Sequence, residues 1–326
     1  MKKIVFTLFV LIAMSQNVFA QGMTATLQSG ENLSVFYGVD AFKEAYAEAK
    51  DGDQITLSAG SFNAPDGNIT KSVRITGIGA FEESANTIFA SLTVAGKDIR
   101  IEGVRFTNTL YVSGSNDLIV TRCWVEKLTA SSNYTNALFD ESVFMEITGM
   151  QNAIDFTFKN STIQYFLSDV NTETHVGRIL NCVIYKWYYQ YSPKLIQPHA
   201  VYKNCLLGTD ASILGGRTMT CVAPSEYYNN VGFSTSKENT VFKFETGCVN
   251  TGNQIMTYAE LFNSTKSYPA KPQNAPTGED GTVVGPYGGT GFSQYPAIPR
   301  IISKTIDGNT NDEGKINVKI EVKAEN

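Results

Sequence analysis

An Asn-Cys pair recurs in one frame, in RILNCVIY (178–185) and VYKNCLLG (201–208). It belongs to a repeat that limits what the chain can fold into. In register with it stand DIRIEGVRF (98–106), DLIVTRCWV (117–125), NALFDESVF (136–144), DFTFKNSTI (155–163), VGRILNCVI (176–184), HAVYKNCLL (199–207) and SEYYNNVGF (225–233). The sixth residue of each unit is Gly103, Arg122, Glu141, Asn160, Asn181, Asn204 and Asn230, at steps of 19, 19, 19, 21, 23 and 26. Three equal steps argue for one structural unit per period, and the growing steps for loops that lengthen at one corner.

Each unit alternates, breaks and alternates again. Position four reads Ile101, Val120, Phe139, Phe158, Ile179, Tyr202, Tyr228. Position seven reads Val104, Cys123, Ser142, Ser161, Cys182, Cys205, Val231, and position nine Phe106, Val125, Phe144, Ile163, Ile184, Leu207, Phe233. Period two on both sides of a break means two short strands meeting at a bend. Asn and Gly accept the left-handed backbone that such a bend uses, whereas Arg122 and Glu141 suit it less. The pattern predicts an all-β parallel β-helix of eight to ten coils stacked about 4.8 Å apart. Asn160, Asn181, Asn204 and Asn230 are expected to form an amide ladder at the bend. Cys182 and Cys205 are expected to point inward on successive coils, within reach of a disulfide but, as parallel side chains, better suited to two stacked thiols. The Asn-Cys pair is thus a structural beat rather than a reactive site.

Both ends of a coil stack expose core and need covers. At the front, DAFKEAYAEAKDGDQITLSAGSF (40–62) places Asp40 at a helix start, with Phe42, Ala45, Tyr46 and Ala49 at helical spacing. Gly52 ends that helix, and strands through Ile55–Leu57 and SVRITGIG (72–79) follow. A helix running into A-K-x-G-D-x-I-x-L-x-x-G-x-F and then I-T-G-x-G resembles the opening of right-handed parallel β-helix proteins, the group of pectate lyases and pectin methylesterases. The resemblance implies a right-handed solenoid and an extended acidic polysaccharide as ligand or substrate. The chain divides into residues 1–20, a solenoid with its cap over 21–263, a Pro/Gly-rich segment over 264–299 and a C-terminal hairpin or edge cover over 300–326. Ile316, Val318, Ile320 and Val322 alternate in that last segment, which resembles the endings of exported β-helix proteins of Bacteroidetes-type bacteria.

Lys2, Lys3 and the apolar run Ile4–Met14 read as a signal peptide cleaved after Ala20, so export to the periplasm, outer surface or medium is expected. No later segment has 18 uninterrupted apolar residues, so no membrane span is expected. Removing the leader leaves 24 basic residues against 31 acidic ones, a balance that opposes nucleic-acid binding. Five cysteines without C-x-x-C spacing make neither a zinc site nor a disulfide framework.

Asp98, Asp117, Asn136 and Asp155 share position one of four units. The column serves as corner residues bonding nearby backbone, or as a row of calcium ligands, with no other cofactor expected. Pectin methylesterases use two aspartates and an arginine. Asp155 in DFTF matches one aspartate motif in part, and Arg217 in LGGRTM matches the arginine motif more loosely. Lys159 replaces the motif's glycine, and the upstream aspartate context is missing. Arg178 is a further candidate to converge on Asp155. Trp187, Tyr188, Tyr189 and Tyr191 in KWYYQYSPK offer rings that stack on sugars or pack on the coil. These features favour a non-catalytic exported scaffold, adhesin or glycan-binding protein. The alternative is a polysaccharide lyase or carbohydrate esterase.

Overall fold

The computed structural model describes residues 22–82, 85–150, 153–167, 177–188, 195–196, 199–208, 219–221, 223–235, 242–244, 246–262, 267–297, 299–306, 315 and 318–323. It shows a parallel β-helix of about eight turns. Two long sheets run along it. The first has 12 strands. Two antiparallel strands, Thr24–Ser29 and Asn32–Tyr37, open it, and parallel rungs follow from Gln54–Leu57 to Val249–Thr251. The second has, among the described residues, ten strands along its path from Gly60–Phe62 to Gln254–Thr257, and Leu92–Val94 pairs beside that path with Val104–Ser113. A three-stranded sheet of Leu195–Ile196, Met219–Cys221 and Phe242–Phe244 is built from the coils whose spacing has grown.

The bend between the two sheets is a left-handed residue in every coil from Gly103 onward. Gly103, Arg122, Glu141, Asn160, Asn181 and Asn204 have φ of 65°, 54°, 46°, 44°, 52° and 54°. Each turns its backbone N–H toward the next coil. Asn160 N–H donates to Leu180 O at 3.1 Å, Asn181 to Lys203 O at 2.9 Å and Asn204 to Tyr228 O at 3.0 Å. One backbone conformation thus turns the chain and sets the vertical register. It costs a non-glycine L-residue about 1–2 kcal/mol, least for Asn. That explains the recurrence of Asn better than side-chain pairing does. The expected amide ladder is not the stacking device: Asn160 donates to a crossing segment, and the Nδ2 of Asn181 and Oδ1 of Asn204 are buried without a partner.

The polar ladder lies one residue on, at inward position seven. Ser142 Oγ accepts from Cys123 N–H at 3.0 Å, and Ser161 Oγ from Ser142 N–H at 3.1 Å. The same hydroxyls donate to the carbonyls two residues back, at 2.7 Å each. The Cys182 and Cys205 thiols donate to the equivalent carbonyls at 3.2 Å. Ser and Cys fit here because a small inward donor finds its partner in a carbonyl that also accepts the bend N–H of the preceding coil and has a second lone pair free. Both cysteines are free thiols.

In the seventh unit the register differs from the sequence alignment by one residue. Tyr202 pairs with Tyr227 and Lys203 with Tyr228, so Asn229 is the bend, with φ 52°, and the step is 25 residues. Tyr227, not Tyr228, faces inward and stacks on Tyr202 at 4.7 Å and 1°. Asn230 replaces Cys205 at position seven, accepting from Cys205 N–H at 2.9 Å and donating to Tyr202 O at 2.9 Å. The doubled aromatic and doubled Asn of EYYNN permit both alignments, and stacking of like rings selects one.

Helix α1, Ala41–Glu48, buries Ala41, Phe42, Ala45 and Tyr46, with Phe42 edge-on to Phe89 at 4.8 Å. Asp40 stands at its start but caps no helical N–H. Its carboxylate accepts from Asn63 Nδ2 instead, at 2.8 Å. Helix α2, Tyr258–Leu261, has a capping box between Thr257 and Glu260.

After α2, residues 267–297 form a strap that runs back along the bend column. Gly285 N–H bonds Asn204 O at 2.9 Å. Asn160 Nδ2 bonds Pro286 O at 2.9 Å and Gly288 O at 2.6 Å. Ala297 N–H bonds Glu102 Oε1 at 2.8 Å. At Gly103 a Cβ would stand 2.3 Å from Pro296, so only glycine lets the strap pass. Beneath the strap lies a second core outside the coil, where Val183, Leu206 and Val231 meet Leu261, Phe262, Ala270 and Val284. Asn160→Ala should expose two buried strap carbonyls and cost about 2–4 kcal/mol. Urea unfolding would read the loss, and hydrogen exchange at 284–290 should rise with it.

Candidate functional site

The position-one residues are a second column of left-handed corners. Asp98, Asp117, Asn136 and Asp155 have φ of 53°, 55°, 51° and 56°. Each is occupied locally: Lys97 lies 3.9 Å from Asp98, and Asn136 Nδ2 donates to Asp117 at 2.6 Å. Among the described residues no three His, Cys, Asp or Glu side chains gather as a metal site. Asp155 meets Arg178 at 3.1 Å, and both side chains are about half exposed. This is one solvated ion pair, worth under about 1 kcal/mol. Arg217, Tyr189 and Tyr191 lie outside the described residues, as do the side chains of Trp187 and Tyr188, whose backbone ends the strand Val183–Tyr188.

Charge is concentrated on the bend side of the first sheet instead. Arg74 reaches Glu102 at 2.9 Å, Glu102 reaches Arg122 at 2.9 Å, and Arg122 Nε reaches Glu141 at 2.6 Å. The last three side chains are 10–13% exposed. Arg122 and Glu141 therefore occupy left-handed bends because their side chains are held by this chain of pairs. Burial pushes Glu102 up, but the Ala297 N–H and the two guanidinium groups outweigh it and hold its carboxyl below the ordinary value. Beside them, Asp140 Oδ1 is buried without a partner. Burial raises the Asp140 carboxyl to about 6, with Lys159, 3.8 Å away, opposing the rise only in part.

The strap shapes a groove of about 620 Å³. Tyr287, Phe292, Tyr295 and Val283 wall it, and Lys271, Gln273 and Gln294 supply polar groups. Tyr287 is 38% exposed. Its ring lies 6.0 Å from Phe292, which meets Phe81 edge-on at 5.6 Å. Phe81 leads to Trp124 at 6.2 Å, under the Arg105 guanidinium, and Trp124 to Tyr268 at 6.3 Å. An aromatic path thus crosses several coils beneath the groove. Among the described residues its lining holds one cation and no Asp, Glu, His or Cys. Burial raises the Tyr287 hydroxyl above its usual range, so it stays protonated and donates. Such a lining can stack, donate hydrogen bonds and attract an anion. It lacks the paired acid and base that bond cleavage uses.

The chain matches no model of a known protein family, and no curated protein matches it. The groove escaped the sequence because it is made of segment 271–295, which shows no period. One signal was present. Position eight is apolar at Val183 and Leu206 on successive coils, and outward apolar side chains require a cover.

Asp140 gives a pH signature. Its folded value, about 6, lies above the ordinary 3.8, so its stabilising contribution is complete below about 3.8 and lost as pH rises through 6. Asp140→Asn should therefore stabilise the protein by about 1–3 kcal/mol at pH 8 and leave it unchanged near pH 3.5. Urea midpoints at the two pH values check the sign.

Proposed function

We propose that this is an exported, non-catalytic β-helix protein that binds an extended, acidic glycan through the strap groove. The observation that carries the reading is the groove's composition: exposed aromatic wall, amide donors, Lys271 and no carboxylate. Tyr287 would stack on a sugar face while Lys271 and the amides meet carboxylate or hydroxyl groups. The basic-apolar leader supports export, to the periplasm, the cell surface or the medium. Trp187, Tyr188, Tyr189 and Tyr191 are proposed as a further set of rings for the same kind of ligand. The opening motif's resemblance to pectate lyases and pectin methylesterases supports the same ligand class.

The Asp155–Arg178 contact favours a second reading, a polysaccharide lyase or carbohydrate esterase. Against it, a single solvated pair supplies no third convergent group among the described residues.

The test is electrophoresis of the 21–326 chain through gels cast with acidic and neutral polysaccharides, with product assays on the same lanes. Retardation by an acidic polysaccharide without product is expected. Tyr287→Ala should weaken it about three- to tenfold, in line with the loss of one ring contact, and Asp155→Ala should leave it unchanged. Unsaturated or de-esterified product that disappears in Asp155→Ala would replace this reading with the enzymatic one.

A further inference from the structure

Among the described residues, two strands present a row of three apolar side chains to solvent. In Asn32–Tyr37, the terminal strand of the first sheet, Leu33, Val35 and Tyr37 are 66%, 43% and 72% exposed. In Val318–Lys323, half of a separate antiparallel hairpin with Arg300–Ile306, Val318, Ile320 and Val322 are 54%, 51% and 55% exposed. Each strand has six residues, with three apolar side chains at alternate positions on its exposed face. The outer edge of Asn32–Tyr37 has no partner strand among the described residues. It carries no Pro, Lys or Glu, the residues that keep natural edges from pairing.

The strap roots the hairpin near the end of the solenoid at which Asn32–Tyr37 lies. Ala297 is bonded to Glu102, and the hairpin starts three residues later, about 10 Å of chain. The rung Arg100–Glu102 lies four strands below Asn32–Tyr37, about 19 Å. Charge is complementary as well. Residues 22–53 hold six acidic side chains and two basic ones, while the hairpin strands hold Arg300, Lys304, Lys319 and Lys323 against Glu321 alone.

We propose that the chain forms a two-fold dimer through this end, with Val318–Lys323 of each copy pairing onto the Asn32–Tyr37 edge of the other. An antiparallel register that faces Val318 with Tyr37, Ile320 with Val35 and Val322 with Leu33 puts Lys323 beside Asn32, next to Glu31. Because edge and arm sit at one end of each copy, one two-fold axis satisfies both pairings and closes the assembly, as an isologous interface must. Backbone bonds supply the pairing, and the alternate apolar contacts fix its register.

Sedimentation velocity of the 21–326 chain at tens of micromolar should show a dimer. Val35→Lys, which charges the edge face, should shift it to monomer with an unchanged circular-dichroism melt. Mixing Val35→Cys with Ile320→Cys should give a disulfide-linked heterodimer under mild oxidation, since the native cysteines are buried or half-buried. A monomeric wild-type chain, a dimer untouched by Val35→Lys, or a cross-link that forms only within one chain of the double variant would each overturn the proposal.

Discussion

The left-handed residue at the bend is the constraint on which the rest of this structure depends. A chain that must reverse direction in one residue, without losing a backbone donor, has few solutions. Here the positive φ at Asn181 or Asn204 turns the strand and also aims that residue's N–H at the coil below. The inward hydroxyl or thiol that follows gives the carbonyl before the bend, already bonded to the N–H of the preceding coil, a second donor. Aromatic stacking at position four, as in Phe139 on Phe158 at 4.7 Å, then follows from coils held in one register. Where the bend residue is Arg122 or Glu141, with no intrinsic taste for the conformation, a largely buried ion-pair chain, bonded by the strap at Glu102, offsets the cost.

The coil is legible in the sequence because its physics is local and periodic. A residue 19 positions on faces the same environment, so the same small set of side chains returns. The front helix is legible for a similar reason: its apolar spacing is a property of eight residues. The N-terminal hairpin is harder to read. Ala25 and Leu27 face the core, but Leu33, Val35 and Tyr37 of its outer strand face water, so alternating apolar letters do not mark the buried face there. The register of Asn229 and Asn230 could not be chosen from the letters alone, since both are good bend residues. Ring-on-ring stacking across coils made the choice.

The strap groove belongs to another class of feature. Its residues are brought together by a segment with no period, laid over a surface whose apolar character only later coils disclose. Asp155 and Arg178 show the converse. They are neighbours because their coils are neighbours, and adjacency on a repetitive scaffold is automatic. Proximity of two charged groups on such a surface is therefore slight evidence of chemistry, whereas the strap's convergent rings require explanation.

A stack whose coils touch only their neighbours would be expected to fray coil by coil, with the terminal turns opening first. The strap changes that. It joins the coil of Asn204 to that of Glu102 through bonds such as Gly285 to Asn204 and Ala297 to Glu102. Its residues are more than a hundred positions in sequence from Asn160 and Glu102. A middle coil can then open only if the strap lets go, so the body of the solenoid unfolds as a single cooperative block. The strap can dock only once most of its coils exist. Assembly must end with a long-range closure, and the last piece placed is the one that shapes the groove.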